Sequence, residues 1–76
     1  MYETSKISER IKARAKEVGT SLKSMLELAG VNWNFMSSTL KAGSMPKADN
    51  LAKIADQLDC SVDYLLGRTD NPEVNR

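Results

Sequence analysis

The sequence predicts a compact all-α domain built from five short helices. Apolar residues recur at three- and four-residue spacing and nowhere alternate, so the helix period is present and the strand period is absent. Glycines, hydroxyls and amides fall at the ends of these periodic stretches, where helices stop and start. The chain has 76 residues, 41% hydrophobic and 28% charged, an ordinary globular balance with room for only a modest core. A simple helical packing fills such a core economically.

The first helix is expected from about Ser5 to Val18, with Ile7, Ile11, Ala15 and Val18 on one face. Gly19 follows, in the place that prefers a left-handed residue. Lys6, Arg10, Lys12 and Lys16 lie off the apolar face. Thr20 or Ser21 caps a second helix with Leu22, Met25, Leu26 and Ala29 inward, ended by Gly30. Asn32 caps a third, which runs to about Lys41. On a wheel of about 100° per residue, Asn34, Ser37, Ser38 and Lys41 share one face of it, and Phe35, Met36, Thr39 and Leu40 the other. Trp33 sits on the border, where core packing and an outward stacking role both remain open. A loop from Ala42 to Pro46 leads to a fourth helix over about Ala48–Leu58, with Leu51, Ile54, Ala55 and Leu58 buried. Ser61 caps a fifth, Val62–Leu66, which Gly67 stops. Residues 1–67 thus form the domain, and 68–76 a tail that is ordered only if something docks it.

Composition excludes several function classes. Without histidine, the commonest general base and the commonest metal ligand are both missing. No glycine-rich phosphate loop is present, Asp56, Asp59 and Asp63 lack the spacing of a Ca²⁺ loop, and no enzyme, metal or cofactor is expected. The single Cys60 allows no internal disulfide and reads as a small buried residue. Met25, Met36 and Met45 read as core filler. No apolar run approaches the roughly 20 residues of a membrane helix, and the N-terminus has no signal-peptide core, so a cytoplasmic location is expected.

Charge is unevenly spread. Residues 1–53 hold nine Lys/Arg and five Asp/Glu, a balance of +4, whereas residues 54–76 hold two and five, a balance of −3. A basic part facing phosphate and an acidic end facing away suits a DNA binder, and chance clustering on a solvated surface gives the same count.

Two short helices, a glycine-containing turn and an amphipathic helix with a polar outer stripe form the helix-turn-helix pattern. A helix fits the major groove, where asparagine can bridge adenine N6 and N7 and serine accepts several bases. Lys23, Lys41 and Lys47, with the basic residues of the first helix, are the expected phosphate contacts.

The chain resembles the Cro/repressor-type, or xenobiotic-response-element-like, helix-turn-helix regulators over about residues 7–67. The resemblance rests on residues 7–12 (ISERIK), Gly30-Val31-Asn32, Met36-Ser37, Pro46, residues 51–58 (LAKIADQL) and residues 60–67 (CSVDYLLG). It implies a lambda-repressor-like five-helix fold and a transcriptional regulator, in particular a repressor on double-stranded DNA. It places the base-contacting positions at Asn32, Trp33, Asn34, Ser37 and Ser38. The chain departs from the family at Leu22, where glutamine is frequent, and at Leu26, where a small alanine is frequent at the helix crossing.

One recognition helix reads only about half a turn of DNA, so a homodimer spanning roughly 34 Å on a palindrome is expected. Its surface is expected at Tyr64 and Leu65, on the ground that so small a core cannot bury both, with the tail adding contacts. The competing function class is a protein-interaction module, an antitoxin or adaptor using the Trp33, Phe35 and Met36 region of the same fold.

Overall fold

Four α-helices and one π-type segment make up the regular structure of this computed structural model, which describes residues 3–32 and 34–73 without the side chains of residues 37–39. The helices are α1 (Thr4–Val18), α2 (Leu22–Ala29), α3 (Ala48–Gln57) and α4 (Val62–Leu66); the π segment is Phe35–Leu40, and no strand occurs among the described residues.

Local chemistry accounts for the boundaries. Ser21 and Ser61 cap α2 and α4, their side chains accepting the N–H groups of Ser24 and Tyr64. Gly19, Gly30 and Gly67 end α1, α2 and α4 with φ near +80°, a conformation that costs glycine nothing. In each case the next residue's N–H returns to a carbonyl five positions back, closing a Schellman motif: Thr20 to Ala15, Val31 to Leu26 and Arg68 to Asp63. Helix α3 ends the same way, Cys60 donating to Ala55, but Asp59 (φ +50°) stands in the left-handed place.

The third segment differs from the continuous α-helix expected over Asn32–Lys41, so the five-helix count gives way to four α-helices and one π turn. The cap position moves from the expected Asn32 to Asn34, and Asn32 instead closes a local Asx turn ahead of the segment, its Oδ1 accepting the Asn34 N–H at 2.8 Å. Regular winding begins only at Phe35, with i→i+5 bonding. Both ends of the segment, Phe35 and Leu40, are buried. On an α-wheel these two positions lie about 140° apart; a wider winding brings them closer to one face. Ser37, Ser38 and Thr39 between them are modest helix formers that offer α-geometry little resistance to this change.

The core joins Ile7, Ile11 and Ala15 of α1, Met25 and Leu26 of α2, and Leu51, Ile54 and Ala55 of α3, together with Leu58 and Cys60. Helix α4 adds Tyr64 and Leu65, both buried, at 7% and 0% exposure. That overturns the expectation that one of them must remain outside, and with it the dimer surface placed there. Helix α4 packs against both α1 and α3, and Arg10 covers the remaining face of Tyr64, its guanidinium 4.5 Å from the ring centroid. Val18, placed on the apolar stripe of α1, is exposed because the core ends a turn earlier at Ala15. Met45 likewise lies exposed in the loop rather than filling the core. The radius of gyration is 11.1 Å, against about 11.4 Å for a compact chain of this length.

The tail is docked as far as Pro72. Pro72 accepts the Ser61 N–H at 3.0 Å, and Asp70 accepts from Arg10 Nη2 at 2.7 Å. The hydrogen bond from Arg10 holds the Asp70 carboxyl below the usual carboxylate range. A lowered native pKa makes this contact fully available above the unfolded value of about 3.9 and removes it as pH falls through the lower native value. An NMR titration should therefore show the Arg10–Asp70 contact persisting below pH 4 and opening only at more acid pH. Asp70→Asn should abolish that transition, and a transition unchanged in the variant would assign it to another group.

Candidate nucleic-acid interface

Asn32 and Asn34 are both exposed, at the turn between α2 and the π segment. Behind them, Phe35 and Leu40 anchor the segment in the core, and Met36 is half-buried against it. The segment's two faces therefore separate as the wheel predicts wherever side chains are described. Trp33 and the side chains of Ser37 and Ser38, three of the five expected base-contacting groups, lie outside the described residues.

Packing of the segment departs from expectation. Among the described residues it packs against α1, and α2 makes no comparable contact with it. Helix α2 packs on α3 and α1 instead. Leu26 and Met25 are the buried residues of α2 and carry its packing into the core.

Three exposed lysines surround this region in sequence. Lys23 lies in the first turn of α2, Lys41 directly follows the π segment, and Lys47 immediately precedes α3. None forms an ion pair among the described residues. By contrast, the arginines of α1 are committed inside the fold. Arg10 joins Tyr64 to Asp70, and Arg14 donates from Nε to the Leu58 carbonyl and from Nη2 to the Asp59 carbonyl, each at 3.0 Å. Lys6, Lys12 and Lys16 are the exposed cations of α1.

A groove of about 670 Å³ runs between the N-terminal half of α1 and the π segment. Sequence reasoning did not find it, because its two walls lie about thirty residues apart and no local pattern links them. Cys60, away from this face, is buried, and burial pushes its thiol up to about 11 while the Arg14 charge pulls the other way. No described helix is long and apolar enough to cross a membrane.

No family model matches the chain, and neither a curated protein nor a solved structure resembles it significantly.

Proposed function

We propose that this chain is a sequence-specific DNA-binding regulator, a repressor of the Cro type that acts as a homodimer on a palindromic operator. The observation that carries the reading is the exposure of Asn32 and Asn34 at the turn immediately ahead of a segment that Phe35 and Leu40 anchor in the core. An exposed asparagine amide can make the two-point contact with adenine that sequence reading requires. The exposed Lys23, Lys41 and Lys47 supply sequence-independent attraction to phosphate. The function is one of binding and occlusion, without a catalytic step. Pairing of two monomers occurs on the operator, where each contributes one recognition segment.

The test begins with selection of a preferred duplex from a random pool, followed by titration of wild type and Asn34→Ala on that duplex and on unrelated DNA. Asn34→Ala should lose about 1–3 kcal/mol on the preferred duplex, roughly 5- to 150-fold, and almost nothing on unrelated DNA. Saturation should show two monomers per palindromic duplex. Equal loss on both DNAs would remove Asn34 from base reading, and failure of the wild type to retain any duplex would end the DNA reading itself.

A further inference from the structure

We propose that the groove between α1 and the π segment seats the sugar–phosphate backbone of the DNA strand that flanks the recognition contact. The inference rests on the DNA-binding reading and extends it to a second surface. Ser5, Ser8 and Lys12 line one side of the groove, and Lys41 lines the other, above a floor from Met36 and Leu40. Glu9 is the single carboxylate among these groups, so two ammonium groups face one negative charge.

An occupant matching this lining needs anionic groups spaced along its length, hydrogen-bond acceptors for the serine hydroxyls and an apolar edge. A nucleic-acid strand has all three, in its phosphates, its phosphodiester oxygens and the C–H faces of its sugars. Continuity strengthens the match. Lys41 lines the groove and directly follows the proposed recognition segment, so the two surfaces adjoin in the chain. Neither Lys12 nor Lys41 is held by an ion pair among the described residues, so binding a phosphate breaks no existing bridge.

Salt dependence tests the groove separately from base reading. Three or four phosphate contacts give the wild type a log–log slope of about −3 to −4 per monomer. Lys12→Gln should reduce the slope by about one and weaken preferred and unrelated DNA by the same factor. Lys53→Gln removes an equal charge from a lysine paired with Asp49 at 3.2 Å, outside the groove, and should leave the slope unchanged. Glu9→Gln should tighten binding to both DNAs at low salt, with the gain shrinking as screening increases. Ethylation interference should show one flanking phosphate whose modification weakens the wild type but not Lys12→Gln. Glu9 and Lys12 are exposed, and unchanged thermal unfolding of each variant would confirm that binding is being compared in folded proteins. A Lys12→Gln slope equal to wild type, with discrimination by Asn34 intact, overturns the groove and leaves the DNA reading standing. Absence of wild-type binding overturns both.

Discussion

Leu65→Ala is expected to remove about 2–5 kcal/mol of stability, the largest effect of any single substitution considered for this chain. Leu65 is fully buried in α4, the element that packs on both α1 and α3, so its truncation opens a void where three helices meet. A domain of this size has a total stability of about 4–11 kcal/mol, so the variant loses a large share of it. Each kilocalorie lowers the melting temperature by about 4–8 °C in a small domain. Urea unfolding followed by circular dichroism measures the loss directly. Leu28→Ala, at a leucine 72% exposed, serves as the comparison and should shift stability by less than about 0.5 kcal/mol. Similar losses in the two variants would contradict the placement of α4 in the core.

Arg14→Ala is expected to cost about 1.5–3 kcal/mol, the range for hydrogen bonds made by a charged group. The guanidinium reaches across 44 and 45 residues to hold the Leu58 and Asp59 carbonyls at the end of α3. That end has no glycine, and Asp59 adopts φ +50°. Arg14 therefore supports a helix end that the local sequence leaves comparatively weak. A positive side chain there also suits the negative end of the helix dipole. Arg14→Lys keeps the charge but lacks the planar fork that reaches two carbonyls at once, so it should recover only part of the loss. Hydrogen exchange at the end of α3 should quicken in both variants, more in Arg14→Ala. Exchange that changes only near α1, with α3 unaffected, would show that the clamp is not what Arg14 contributes.

These two residues illustrate how far the sequence reaches. The helix that carries Leu65 was legible, because Ser61 and Gly67 mark both ends and each acts within a few residues of itself, but the full burial of Leu65 beside Tyr64 was not. Gly19 and Gly30 were legible for the same reason. The role of Arg14 was not, since a cation beside an apolar stripe looks alike whether it is solvated or clamped to a distant carbonyl. Arg10 and Asp70, 60 residues apart, share that difficulty. Tyr64 and Leu65 were misread as a pair that the core could not hold, because part of the cover of Tyr64 comes from Arg10, outside its own helix and outside the apolar inventory. In the candidate interface, the outward Asn34 and inward Phe35 and Leu40 followed from the wheel, whereas the winding did not. Six residues are too few for periodicity to distinguish one helical pitch from another.

The π segment also bears on descent. A ring closed from i to i+5 holds one more residue than a ring closed from i to i+4, so a π turn is equivalent to an α turn that has accepted an insertion. In an ordinary helix an inserted residue turns everything beyond it by about 100° and sends buried side chains into water. Widening over Phe35–Leu40 absorbs that rotation locally and leaves both anchors in the core. The surface ahead of those anchors can thus change length by one residue without dislodging the scaffold behind it. On the proposed DNA reading, such tolerance is a route by which specificity can drift while the fold stays fixed.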